Sequence, residues 1–154
     1  MKNVINPTSD FVQWRRSSQI KEDGGGFSED QLIDAFLAGK QHATKLVREK
    51  LQENIQKTGT QTSEVVKALL KKKYTPKFIT LRIIGYNNFD VLISLPEDQF
   101  TSKGFPNVYK ITSKIEEASK EEYRIRYSFI NHSKSFDVDQ LFQDGYYLIH
   151  KSVD

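Results

Sequence analysis

Apolar residues recur at positions 32, 33, 36, 37, 43, 46, 47, 51 and 55, the three- and four-residue spacing of one helix face. The start of that stripe carries its own signal. Ser28-Glu29-Asp30-Gln31 has the form of a capping box, in which the serine oxygen takes the Gln31 amide and the glutamine side chain reaches back, with Phe27 and Leu32 at the two staple positions. Gly59 stands where the helix is expected to end. A rise of about 1.5 Å per residue makes such an element about 45 Å long. It must therefore kink near Gly39 or project and pack on another surface. A second helix is predicted from Ser63, with Val65, Val66, Leu69 and Leu70 on one side, Lys71-Lys72-Lys73 in its last turn and Pro76 as its stop.

After Lys77 the period drops to two. Ile79, Leu81 and Ile83 alternate with Thr80 and Arg82, and Phe89, Val91, Ile93 and Leu95 repeat the alternation after a turn, which predicts a β-hairpin. A three-residue loop, Tyr86-Asn87-Asn88 with Asn88 left-handed, puts both apolar sets on one face. A helical turn over 96–102 follows, then a helix marked by Val108, Ile111, Ile115 and Ala118, a strand over 123–129, a short helix over 136–143 capped by Asp137 or Ser135, and a last strand over 146–150. The fold class expected is α+β: a four-stranded, largely antiparallel sheet with helices on one face, preceded by a long N-terminal helix and a second short helix.

Ahead of these elements, residues 1–26 mix Asn, Ser, Gln and charges with a few scattered apolar positions, and they end at Gly24-Gly25-Gly26. Three glycines lose too much conformational entropy to sit inside an element. The expected division is therefore a flexible polar arm, 1–26, and one α+β domain, 27–154, helical over 27–75 and sheet-containing over 76–154. A length of 154 residues fits one domain. With no cysteine, disulfides and thiolate chemistry are out. No apolar run reaches the roughly 7 to 15 residues of a signal peptide or the ~20 of a membrane span, so a cytoplasmic protein with no membrane contact is expected.

Net charge is only +3, which excludes a strongly basic coat, but its distribution is uneven. Residues 60–77 hold Lys67, Lys71, Lys72, Lys73 and Lys77 against the single acid Glu64, so the remainder of the chain is slightly acidic. A cationic helix end of this kind is a candidate site for an anion or nucleic acid. On the strand over 123–129, Arg124 and Arg126 fall on the face opposite Tyr123, Tyr127 and Phe129, alongside Arg82. Lys71, Lys72, Lys73, Arg82, Arg124 and Arg126 form the anion-binding candidate set. In the arm, Phe11, Trp14, Arg15 and Arg16 include the only tryptophan and are the candidate partner-binding set, since Trp and Arg are favoured interface anchors.

Catalytic signals are missing. His42, His132 and His150 have no metal-ligand spacing, Asp137 and Asp139 read as caps, and no GxSxG, GxGxxG or GxxxxGK[ST] occurs. No cofactor is implied. The reading from sequence is a non-enzymatic binding or adaptor module that associates with a protein partner or with itself as a homodimer through the first helix. The alternatives are nucleic-acid or phosphate-ligand binding through the lysine-rich helix end and the arginine face, and an enzyme with a dispersed site drawing on Arg82, Asp90 or His150.

Overall fold

The structure, a computed structural model, describes residues 11–17, 28–37 and 45–153. Its elements are β1 (Trp14–Arg16), α1 (Glu29–Leu37), α2 (Lys45–Lys71), β2 (Phe78–Gly85), β3 (Asn88–Leu95), α3 (Glu97–Phe100), a 3-10 turn (Phe105–Asn107), α4 (Val108–Ser119), β4 (Arg124–Asn131), α5 (Val138–Gln143) and β5 (Tyr146–His150). The capping box is in place: the Gln31 amide donates to Ser28 Oγ at 3.0 Å and the Ser28 amide donates to Gln31 Oε1 at 2.7 Å. Phe27 of the expected staple and Gly39 of the expected kink lie outside the described residues.

Gly59 does not end a helix. α2 runs unbroken for 27 residues, through both Gly59 and the predicted second start at Ser63. Thr58, Gly59 and Thr62 are buried against the rest of the molecule, so their polar groups need partners. The helix supplies several of them itself: the hydroxyls of Thr58 and Ser63 donate to the carbonyls of Ile55 and Gly59 at 2.7 and 3.2 Å. Burial thus offsets the weak helix propensity of the Thr-Gly-Thr-Gln-Thr-Ser run. The expected projection of the first helix finds its cover within the chain. Arg48 on the first turns of α2 bonds Asp34 of α1 at 2.6 Å and the Asp30 carbonyl at 3.2 Å, and Leu32, Ile33 and Leu37 of α1 join Leu51 in the buried cluster.

Among the described residues the sheet has five strands in the order β1-β5-β2-β3-β4 and is mixed, where four largely antiparallel strands were expected. Two features account for the difference. First, β3 and β4 are parallel. The stretch between Leu95 and Arg124 exceeds the roughly dozen residues a crossover needs, and α4, lying in it, packs on β4 and α2. Second, β1 adds to β5 with Trp14 opposite His150. Residues 11–17, read from sequence as part of a flexible arm, are a turn and an edge strand.

The apolar sets share one face as expected, odd residues opposite odd, but the register is two residues from the one a Tyr86-Asn87-Asn88 loop would set: Ile79 stands opposite Ile93 and Leu81 opposite Val91, where that loop would put Leu81 opposite Ile93. The loop is the two residues Tyr86-Asn87, and an irregularity between Ile83 and Gly85 absorbs the offset. Asn88 is not left-handed. Odd-numbered residues of β2, β3 and β4 and Leu148 of β5 face α2 and α4 and form the core. Helices were expected on that face only. The segment 132–145, with α5, instead crosses the opposite face: Phe136 packs on Phe78 at 5.5 Å between ring centroids, and the Asp144 carbonyl accepts from Arg82. Asp137 caps α5 as expected, accepting from the amides of Asp139 and Gln140.

Candidate functional site

Strand alternation carries Arg82, Arg124 and Arg126 to the sheet face away from α2 and α4, where cross-strand pairing decides their fate. Asp90 stands opposite both Arg82 on β2 and Arg126 on β4. Its carboxylate accepts from Arg82 Nη2 at 2.7 Å and from Arg126 Nε and Nη2 at 3.2 Å. Arg82 also lies 4.9 Å from the Tyr146 ring centroid and donates to Asp144. Hydrogen bonding to Asp90 raises the Arg82 pKa, while burial raises that of Tyr146. Arg82 is therefore committed to holding β2, β3 and β5 together. Arg126, with 64% of its side chain exposed against 35% for Arg82, and Arg124 face water more fully, and Asp90 takes up part of the Arg126 charge.

The lysines lie elsewhere, on the helical side. α2 ends in a Schellman closure: the Tyr74 amide donates to the Leu69 carbonyl and the Lys73 amide to the Leu70 carbonyl, with Lys73 at φ +68°. This reversal turns Lys72 and Tyr74 toward the N-terminal end of α4. Between them is a cleft of about 400 Å³ lined by Lys72, Tyr74, Gly104, Asn107, Val108, Lys110 and Ile111. It holds two lysines and no carboxylate. Asn107, at the N-cap of α4, makes no side-chain capping bond; the 3-10 turn that runs into the helix supplies carbonyls instead, that of Gly104 to the Asn107 amide and that of Phe105 to the Val108 amide. A Cβ at Gly104 would lie 3.0 Å from the Tyr74 hydroxyl, a tight contact at the cleft wall. Val108, Ile111 and the Tyr74 ring make the walls largely apolar.

A second hollow, about 500 Å³ beside Glu53, Lys57, Glu122 and Tyr123, differs in its charge balance. There Lys57 pairs with Glu122 at 2.8 Å and Glu53 at 3.1 Å, leaving little charge unspent. The alternation of sign identifies the first cleft as the stronger electrostatic site.

Of the anion-binding candidates, only Lys72 lines the cleft. Lys71 and Lys73 flank it on the exposed end of α2, and Arg82, Arg124 and Arg126 are on the far face of the sheet. The two halves of the sequence-derived set are thus separate surfaces. Tyr74 and Lys110 complete the cleft and were not singled out in the sequence. Lys110 left a signal there, a cation in the first turn of a helix that has no acidic residue in that turn, opposed to the helix dipole.

Among the partner-binding candidates, Phe11 and Trp14 are fully buried in the molecule's own core. Trp14 Nε1 donates to the Ile55 carbonyl at 3.2 Å, and its ring meets His150 edge-on at 4.9 Å. Arg15 is half-buried and Arg16 exposed on the edge strand. His150 is as buried as Trp14. Its Nε2 lies 3.1 Å from the Gly59 carbonyl, so that nitrogen carries the proton, and its Nδ1 accepts from Ser152 Oγ at 2.7 Å. Burial lowers its pKa. The ring is a neutral strut joining β5, α2 and β1, remote from Arg82 and Asp90 on the opposite sheet face. Among the described residues no group of three or more His, Asp or Glu could hold a metal ion, and no helix is long and apolar enough to cross a membrane. No family model, curated protein or solved structure matches the chain.

Proposed function

We propose that the protein is a non-enzymatic binding module for a phosphate-bearing small molecule, seated in the cleft between the end of α2 and the start of α4. One observation carries this reading: the cleft holds Lys72 and Lys110 with no carboxylate on its lining. An anionic group between the two ammonium groups gains charge-assisted hydrogen bonds from each, and the Tyr74 hydroxyl and Asn107 amide lie at the same rim. Ile111 and the Tyr74 ring offer an apolar wall to the rest of the ligand. Size separates a small molecule from a polymer. Ligand pockets run about 300 to 1,000 Å³, and this cleft falls inside that range. A single-stranded nucleic acid would instead need a long basic groove with successive stacking rings.

Titration calorimetry at low ionic strength with pyrophosphate, a nucleoside triphosphate and a short single-stranded oligonucleotide tests it. The expected result is saturable, salt-sensitive binding of one of the small phosphates. Lys72→Glu or Lys110→Glu should weaken it by at least about tenfold, the equivalent of one lost charge contact. Absence of any heat at low salt, or binding indifferent to both reversals, would sink the proposal. Tighter binding of the oligonucleotide than of either small phosphate would move the reading to nucleic acid.

A further inference from the structure

Among the described residues the two edges of the sheet are β1 and β4. β1 is three residues long and too short to template another strand. β4 is eight residues long, and among the described residues no strand pairs with its outer side. Its backbone alternates direction. The amides of Arg124 and His132, which bracket the strand, donate inward to the carbonyls of Asn87 and Leu95, so even-numbered groups point to β3 and odd-numbered ones point out. One outward amide, that of Tyr127 at mid-strand, is taken by a side chain: it donates to Glu116 Oε2 of α4 at 2.8 Å. The carboxylate occupies the place a carbonyl of a sixth strand would fill.

We propose that the outer edge of β4 is a latent self-association surface, fitted to β4 of a second copy of the chain, and that the Glu116 carboxylate holds it shut. The occupant follows from register and charge. In an antiparallel pair of β4 strands, outward odd residues must face outward odd residues. The central such register sets Tyr127 against Tyr127 and Ile125 against Phe129. Arg126 then faces Ser128 and Arg124 faces Ile130, so no arginine stands directly opposite an arginine; the two Arg126 side chains are diagonal neighbours across the axis, each keeping its own Asp90 partner. The two-fold axis of that pairing passes through Tyr127, the residue whose amide Glu116 covers. With Glu116 in place neither copy can offer its central donor, and each would have to bury a carboxylate against the other.

Amide hydrogen exchange and light scattering across a concentration series test this on the full chain. In the wild type the Tyr127 amide should exchange more slowly than the outward amides of Ile125 and Phe129; equal rates would overturn the proposal. Glu116→Ala should double in mass as concentration rises, while the wild type and Glu116→Gln, whose amide oxygen can still accept, stay single chains. A wild-type dimer, or a Glu116→Ala chain that stays monomeric, overturns it. Glu116→Asp is one methylene short of the amide, carries the same expectation, and serves if the alanine variant does not fold. Ser128 is exposed and faces Arg126 of the second copy in the stated register. Added to the open variant, Ser128→Arg should restore the monomer and Ser128→Asp should preserve the dimer; indifference to the sign of that charge overturns the register and the proposal with it.

Discussion

Gly59 occupies the middle of a 27-residue helix because two other residues need its missing side chain. A Cβ at that position would lie 2.7 Å from Gln13 Cβ and 3.0 Å from Trp14 Nε1. Gln13 Cβ is anchored to the backbone of the incoming segment, so relief would require the edge strand to move. Gly59→Ala should gain up to about 1 kcal/mol in helix propensity. It should lose more than that to overpacking and to the disturbed bond from Trp14 to the Ile55 carbonyl, for a net loss of about 1 to 2 kcal/mol. Urea unfolding should show a lower midpoint, and an unchanged or higher midpoint would mean that the Trp14 contact does not hold in solution. At this scale the sequence is ambiguous: a glycine after a long stripe reads equally well as a stop or as a close approach, and only Trp14, far away in sequence, decides between them.

Among the elements, α2 shows how a helix end is specified. Its stripe, its terminal lysines and the stop at Pro76 are all legible as a pattern, and the helix does end at Lys71. The closure is not legible, because Lys73 takes the left-handed conformation at φ +68° that glycine adopts without steric cost. Lys73→Gly should therefore stabilise the protein by about 1 kcal/mol. Lys71→Gly, inside the helix and losing the same charge, should destabilise it by about the same amount. Opposite shifts of the two denaturation midpoints check the assignment; shifts of the same sign would leave only a charge effect. α4 and β4 make the complementary case. Their existence follows from period, but it is the parallel pairing of β3 and β4, with α4 in the crossover between them, that lets Glu116 reach Tyr127, and no local pattern records that reach.

For the whole molecule, His150 ties the sheet, the long helix and the edge strand at one point. The groups packed on it are the Gly59 carbonyl and Ser63 hydroxyl of α2, the Trp14 ring of β1 and the hydroxyl of Ser152, none of them charged. Its pKa is lowered from 6.5 by burial. An unfolded chain then binds a proton at this residue more readily than the folded one, so stability is full above about pH 6.5 and falls as pH drops through that value. Unfolding midpoints measured between pH 7.5 and the upper end of the carboxylate range should decline on acidification, and His150→Gln should flatten the decline; an equal slope in both proteins would remove His150 as its cause. By itself the sequence determined the α+β class, the existence of most elements, the caps at Ser28 and Asp137 and the shared apolar face of the hairpin, because each depends on neighbours within a few positions. It also located the lysine surplus, since charge counts need no fold. Only the tertiary structure decided that Phe11 and Trp14 belong to the core, that α2 continues through Gly59, and that Lys72 and Lys110 line one cleft while the arginines face away. Those outcomes depend on contacts between residues tens of positions apart, whose energies appear only once the elements are packed.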